Sequence, residues 1–263
     1  MSHPDKPFFV GFLPAPGPLR AFLISCGISL VVVFAAVAWA IGTTQANPGD
    51  AAFYGRQNVT GVLFADPYPH VFVTEGTQRI PAGRTILLSA GGKRGVQGRA
   101  GDLDRALVSV SGQGLSRGDL DMIQVAGGRR GLNTADMAVA PNMVNMGDAD
   151  DEMADVSTKD LGRWRLAGEI CDGKCLAGAM RPGTGLAHRA CANLCLVGGV
   201  PPVFVSSQPV EGSEFLLIGG PDGGPLAPEI LDYTALYISV EGTVQRRGDL
   251  LIFLIDPKTI EAL

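Results

Sequence analysis

Charged residues are scarce in this 263-residue sequence. Asp, Glu, Lys and Arg together make up 18% of it, and the formal net charge is −5. The arginines are scattered instead of forming one dense basic tract, which a protein that binds a polyanion would be expected to carry. We therefore expect no nucleic-acid partner.

The sequence also lacks the motifs of several enzyme classes and cofactor sites. It contains no zincin helix, no dinucleotide fingerprint and no Ser/His/Asp arrangement, and the Gly-rich stretch at residues 89–95, SAGGKRG, lacks the G-K-[ST] ending of a phosphate loop. The cysteine spacings fit neither haem attachment nor an iron–sulfur cluster. These absences favour a binding module over an enzyme without deciding the matter, and we expect neither haem nor a nucleotide as cofactor.

One long apolar run is present, at residues 21–42, and it contains no charged residue. At about 1.5 Å per residue, a helix of this length crosses a bilayer core of about 30 Å. A cleaved signal is the alternative, because Ala36, Ala38 and Ala40 suit a signal peptidase, but the run exceeds the usual apolar core of about 7–15 residues. We predict a transmembrane anchor, which makes the bilayer a partner of the chain.

The orientation of this anchor follows from the charges beside it. Lys6 and Arg20 precede the run, whereas the segment after it, TTQANPGD, contains no Lys or Arg. Positive residues stay on the cytoplasmic side of a membrane. We expect residues 1–20 to be cytoplasmic and the rest of a single-pass inner or plasma membrane protein to be periplasmic or otherwise extracytoplasmic.

Two series of short apolar segments, bounded by Gly, Pro or Asp, follow the anchor. They occupy residues 56–126 and 161–263 and have the pattern of β-strands. Residues 127–160 between them are rich in Gly, Asp, Asn and Met, with DADDE at 148–152, which is typical of a solvated linker. Its methionines could bind copper through thioether sulfur, although loose packing on a partner is the stronger interpretation: Met137, Met143, Met146 and Met153.

The two series match one another. VSGQGLSRGDL at 110–120 lies over VEGTVQRRGDL at 240–250 without a gap, at an offset of 130, while Gly61 and Gly168 match at an offset of 107. In the second strand, Val71-Phe72-Val73 matches Val203-Phe204-Val205 at an offset of 132, so the second copy carries an insertion of 25 residues between its first two strands. We predict a mainly β protein with two tandem OB-like five-stranded barrels after the helix, and two sandwich halves or one mixed β domain as alternatives.

That insertion, at residues 171–195, carries a cluster of sulfur and imidazole side chains: Cys171, Cys175, His188, Cys191 and Cys195. Three interpretations are open. A disulfide framework fits an oxidising compartment. A metal site formed by Cys175, His188, Cys191 and Cys195 would suit Zn²⁺ or, alternatively, Cu(I). Thiol chemistry is the third, with an exposed reactive cysteine beside His188.

The same stretch, GEICDGKC…HRACANLCLVGGVPPVFV, resembles a segment of uncharacterised bacterial membrane-anchored proteins. Their shared pattern is D-x-x-C, then H-x-x-C-A-x-x-x-C and G-G-x-P-P, and the likeness covers the second repeat and, more loosely, the anchor region. The resemblance implies that Asp172 belongs with Cys175, His188, Cys191 and Cys195 in one constellation. It also implies an aliphatic residue where Cys171 stands, which favours a Cys3His site, or one disulfide with Cys171 as a spare thiol.

From these features we expect a non-catalytic accessory or assembly subunit of an exported membrane complex, a respiratory or other redox one. Other membrane or periplasmic subunits would be its protein partners, and the insertion would be a metal- or disulfide-stabilised knuckle. The alternative is a metal-handling protein for zinc or copper, or a thiol-redox protein. A tethered repeat module without acid/base or nucleophile motifs favours the first interpretation.

Overall fold

The computed structural model describes residues 17–44, 50–128, 130–135 and 158–263. The chain forms two compact units, Met1–Asn47 and Pro48–Leu263. Most of the expected linker at 127–160, including its methionines and its acidic run, lies outside the described residues, as do residues 1–16 with Lys6.

The first unit contains one helix, α1 (Gly17–Thr44), which is four residues longer than expected at its start and two at its end. Its most apolar window has a mean hydropathy of 2.6, and none of its residues is buried by the protein. At about 1.5 Å per residue the helix is about 42 Å long. The apolar N-terminal helix is confirmed, and it has the length of a membrane span or of a signal sequence.

The second unit is mainly β and begins with six strands in one sheet: β1 (Ala52–Phe64), β2 (His70–Glu75), β3 (Thr85–Ser89), β4 (Leu107–Arg117), β5 (Leu120–Val125) and β6 (Leu132–Thr134). The pairing order β1-β2-β3-β5-β4 returns to β1 and closes a five-stranded barrel. All these pairs are antiparallel except β3–β5. A short helix, α2 (Gln97–Ala100), precedes β4. Strand β6 pairs with β4, and its residues fall in the range 127–160 that was expected to be a linker. We call β1–β6 the first β unit.

A second sheet, which we call the second β unit, has the strands β7 (Lys159–Asp172), β8 (Pro202–Val210), β9 (Ser213–Gly219), β10 (Tyr237–Arg247), β11 (Leu250–Ile255) and β12 (Glu261–Ala262). Its pairings repeat those of the first, including a parallel third and fifth strand. Leu87 pairs with Met122 and Leu217 with Ile252, at the offset of 130 read from the sequence.

The first strands of the two units also match at the expected offset. Gly61 pairs with Val108, and Gly168 pairs with Ile238. A Cβ atom on either glycine would overlap a carbonyl oxygen of the next strand, that of Phe72 or Val205, so only glycine allows this close approach. The alignment of the second strands differs from the expected one by one residue. His70 pairs with Leu87 and Val203 pairs with the equivalent Leu217, so His70 and Val203 are equivalent. The offset there is 133, and the insertion is 26 residues long instead of 25.

Each β unit has its own apolar core, and a third cluster of buried apolar side chains lies between the two β units. The inter-unit cluster includes three pairs of residues at equivalent positions of the two β units: Leu87 and Leu217, Leu120 and Leu250, and Met122 and Ile252. This position explains why β3 is buried along its whole length. Ile86 and Leu88 face the barrel interior, while Leu87 faces the other unit.

The R-G-D-L hairpins of the repeat also hold the units together. Arg117 donates to the carbonyl of Pro182 (2.7 Å) and Arg247 to that of Asp66 (3.2 Å), and both carbonyls lie between the first two strands of the opposite unit. Asp249 accepts the backbone N–H of Thr85 (2.6 Å). The side chains of these hairpins therefore also form contacts between the repeats.

His70, at the start of β2, is buried in the same region. Its Nδ1 lies 2.8 Å from the carbonyl of Tyr68, and its Nε2 accepts from Arg247 at 2.9 Å. Burial, reinforced by the charge of Arg247, lowers the pKa of His70 to about 3. The imidazole is therefore neutral near neutral pH, with Nδ1 as its donor and Nε2 as its acceptor.

Candidate metal centre

The insertion lies between β7, which ends at Asp172, and β8, which begins at Pro202. It contains a π-turn at Cys175–Ala179, a 3₁₀ turn at Leu186–His188 and the helix α3 (Arg189–Val197). Cys191 and Cys195 are four residues apart on α3 and therefore lie on one face of it. The 3₁₀ turn places His188 directly before this helix.

The insertion brings the predicted ligands together around Cys175. The ligand atoms of Cys175, His188 and Cys191 all lie within 4.8 Å of one another, and so do those of Asp172, Cys175 and Cys195. Cys175 is common to both groups, so the ligand atoms of His188, Cys191 and Cys195 each lie within 4.8 Å of that of Cys175. The Cys175–His188–Cys191 group could hold a metal ion.

Asp172 is fully buried and connects the two groups. One carboxylate oxygen lies 2.9 Å from Nε2 of His188, and the other accepts the backbone N–H of Cys175 at 2.8 Å. Metal-binding histidines commonly donate one ring N–H to a carboxylate, which orients the ring and makes the other nitrogen a better ligand. Asp172 has the position of such an orienting residue.

Cys175 and Cys195 are buried together with Val200. The contact between their sulfur atoms raises the pKa of Cys175 and lowers that of Cys195. Thiolates, and not thiols, are the forms that bind metals.

The first β unit covers this site through residues 90–95, which we call loop 90–95. Lys93 donates to Sγ of Cys191 at 2.8 Å, and this contact raises the pKa of Lys93. Lys174 donates to the carbonyls of Ala90 and Gly92, each at 2.7 Å. The structure therefore places one cation of this loop, Lys93, against a candidate ligand.

Cys171 lies apart from the cluster, although it is only four residues from Cys175. Neighbouring strand residues point to opposite faces, and Cys171 faces the inter-unit cluster, where its thiol donates to Glu169 at 3.2 Å. Burial and the charge of Glu169 raise its pKa well above the ordinary value. Cys171 is a buried structural thiol here, and the structure records it and the other cysteines of the insertion as free.

No protein-family model matches this chain, and comparisons with curated proteins and with solved structures also find no match. The geometry of the site is therefore the main guide to function. Sulfur and imidazole donors suit Zn²⁺ and Cu(I) alike, so the donors alone do not identify the metal.

Proposed function

We propose that this chain is a membrane-anchored, non-catalytic accessory or assembly subunit whose insertion binds Zn²⁺ in a Cys3His site. The observation that carries the proposal is the convergence of Cys175, His188, Cys191 and Cys195, with Asp172 holding both His188 and Cys175. A site with three thiolates, one imidazole and Zn²⁺ has a net charge of −1, and Lys93 lies where it can balance that charge.

The proposed fold is a pair of OB-like barrels. Three features support it: the pairing order of each sheet, the parallel third and fifth strands, and the helical turns between the third and fourth strands. On this proposal the metal fastens the second barrel to the first, because the insertion of one holds the ligands while loop 90–95 of the other covers them.

A docking role is supported by the apolar side chains that the insertion exposes. Leu186, Leu194 and Val197 are 66%, 59% and 71% exposed. Leu194 and Val197 are three residues apart on α3 and so lie on one face of it, and exposed apolar patches commonly mark protein contacts. With the anchor holding the chain at the membrane and its body exported, the partner would be another subunit on that side, in a respiratory or other redox complex.

The metal proposal is tested with the full chain in detergent, by elemental analysis and by counting free thiols before and after reduction. We expect one Zn²⁺ per chain. Cys175→Ser should abolish tight binding, because this sulfur belongs to both ligand groups. Asp172→Asn should weaken binding by about 10–100-fold, the usual effect of losing an orienting carboxylate.

Cys171→Ser is the matched control, since it also removes a buried thiol of the insertion but should leave the metal content unchanged. Co²⁺ substitution provides a second readout, because sulfur-to-cobalt charge-transfer bands report thiolate ligands directly. Two disulfides in a metal-free chain, or equal metal loss in Cys171→Ser and Cys175→Ser, would contradict the Cys3His proposal.

The subunit proposal has its own test. An affinity-tagged full chain should copurify from native membranes with other membrane subunits, and the double variant Leu194→Asp and Val197→Asp should lose them while keeping its metal. A solitary monomer that exchanges thiols or transfers metal would instead favour the second candidate, a metal-handling or thiol-redox protein. The half-buried position of Cys191 beside Lys93 is the observation that favours this candidate.

A further inference from the structure

A polar cleft of about 570 Å³ lies on the first β unit, and no cysteine of the described residues lines it. Ligand sites for small molecules commonly have volumes of about 300–1,000 Å³. The charged residues that line it are Arg56, Arg94 and Arg99, and the remaining lining includes Gln113, Gln124 and several glycines. No carboxylate lines it among the described residues, although the chain as a whole is acidic. We call it the arginine cleft.

The barrel itself builds one wall of this cleft. Arg56 on β1 pairs with Gln113 on β4, and Gln113 pairs with Gln124 on β5. Side chains of directly paired residues stand on the same face of a sheet about 5 Å apart. One guanidinium and two amides therefore form a row across three strands, with Arg94 and Arg99 beside it on the segment before β4.

The arginines of the cleft keep most of their hydrogen-bonding capacity. Arg99 donates to the carbonyls of Ala126 (3.2 Å) and Gly128 (2.9 Å), which fixes its guanidinium and leaves three of its five N–H groups. Ion pairs among the residues that the structure describes involve other arginines: Arg84, Arg163, Arg165 and Arg246. The cleft thus holds positive charge that no acidic side chain of those residues neutralises.

The second β unit shows what the same face looks like without a site. Arg163 is the equivalent of Arg56, since it pairs with Thr243 on β10 as Arg56 pairs with Gln113 on β4. Arg163 forms an ion pair with Glu241 at 2.8 Å. At the offset of 130 that holds for the third to fifth strands, Gly224, Glu229 and Leu254 replace Arg94, Arg99 and Gln124. The two copies therefore share a fold, but among the described residues only the first has arginines on this face without an acidic partner.

We propose that the arginine cleft binds a phosphate ester that carries hydroxyl groups, such as a sugar phosphate or a polyol phosphate headgroup of a lipid. A phosphate monoester has a charge of about −1.5 to −2 and three acceptor oxygens, and a lipid phosphodiester has a charge of about −1 and two, so either offers oxygens that several guanidinium groups can bind. The neighbouring amides of Gln113 and Gln124 can each donate to and accept from hydroxyl groups. The volume of the cleft accommodates a group larger than inorganic phosphate alone.

The test uses the full chain in phosphatidylcholine nanodiscs, titrated calorimetrically with glucose 6-phosphate. We expect saturable binding, no binding of glucose, and weaker binding of inorganic phosphate and glucuronate. Arg56→Gln should weaken binding of glucose 6-phosphate by about tenfold, the effect of losing a hydrogen bond to a charged group. Gln113→Ala should weaken glucose 6-phosphate but leave inorganic phosphate unchanged.

Arg163→Gln is the matched control, because it removes the equivalent arginine from the second β unit and should not change binding. Arg56 is exposed, so its variant should keep the wild-type melting temperature, and this measurement separates lost binding from lost folding. Competition by phosphatidylglycerol in the nanodisc would assign the site to a lipid headgroup, and its absence would assign a free phosphate ester. The proposal fails if neither ligand binds, if glucuronate binds as tightly, or if Arg56→Gln and Arg163→Gln behave alike.

Discussion

The two β units have the same strand pairing, and the differences that bear on function lie at two places. On the outer face of the first β unit, the arginines of the cleft have no acidic partner among the described residues. In the second β unit, the equivalent arginine forms an ion pair with Glu241. The second unit carries the Cys/His insertion between its first two strands, where the first has a short connection. Strand pairing is thus held constant between the copies, while the outer face of one and a loop of the other are free to acquire different chemistry.

The largest expected effect comes from the cores, because equivalent positions of the two β units carry side chains of different size. Phe204 packs edge-on against Phe253, and the residue equivalent to Phe204 by register is Val71. Phe204→Ala should lower the free energy of unfolding by about 3–5 kcal/mol, because it leaves a large cavity. Urea denaturation measures the change. Val71→Ala, which removes fewer buried atoms, should cost clearly less, and equal losses would contradict this difference between the cores.

A second effect depends on pH and arises only in the first unit, since Val203 stands where the first unit has His70. The folded protein holds the pKa of His70 at about 3, below the ordinary value of about 6.5 in the unfolded chain. The unfolded chain therefore binds the proton first as the pH falls, and stability is lost between about pH 6.5 and 3. Relative to neutral pH, this group should cost about 2 kcal/mol at pH 5.

His70→Gln removes this titration and should flatten the difference in unfolding free energy between pH 7 and pH 5. Arg247, Arg105 and Asp104 are the charged groups that act on His70, and all three remain in the variant. If the variant loses as much stability as the wild type between these pH values, the buried neutral histidine is not the cause.

The smallest effect compares two aspartates of identical motif position. Asp249 accepts the N–H of Thr85 and pairs with Arg84 at 2.7 Å, whereas only the backbone carbonyl of Asp119 contacts Arg84. Asp249→Ala should destabilise the protein by about 1–2 kcal/mol through the lost hydrogen bonds. Asp119→Ala should change stability by less than about 0.5 kcal/mol, as surface substitutions do. Thermal melts of the two variants check the contrast, and equal shifts would show that the hairpins are equivalent.

Local sequence features allowed part of this structure to be predicted. Composition alone indicates α1, and the repeated R-G-D-L letters give the offset of 130 that the registers of β5 and β11 follow. The close spacing of His188, Cys191 and Cys195 indicated their proximity, because a helix brings residues four apart to one face. The short β6 was missed, since its three residues lie in a polar stretch without apolar alternation.

Features that join distant parts of the chain could not be predicted. Lys93 and Cys191 are 98 residues apart, and nothing in the Gly-rich sequence around Lys93 indicates a sulfur partner. The row of Arg56, Gln113 and Gln124 exists only through the register of three strands. The inter-unit cluster was hidden for a similar reason, because Leu87 and Leu120 have the pattern of ordinary strand residues and give no sign that their outer face is covered.

Loop 90–95 borders both candidate sites. Arg94 lines the arginine cleft, while Lys93 contacts Cys191 and the carbonyl of Gly92 accepts from Lys174. A metal ion that changes the position of this loop would therefore also change the affinity of the cleft for its anion. Thermodynamic linkage makes that influence reciprocal, so the anion would alter metal affinity by the same factor.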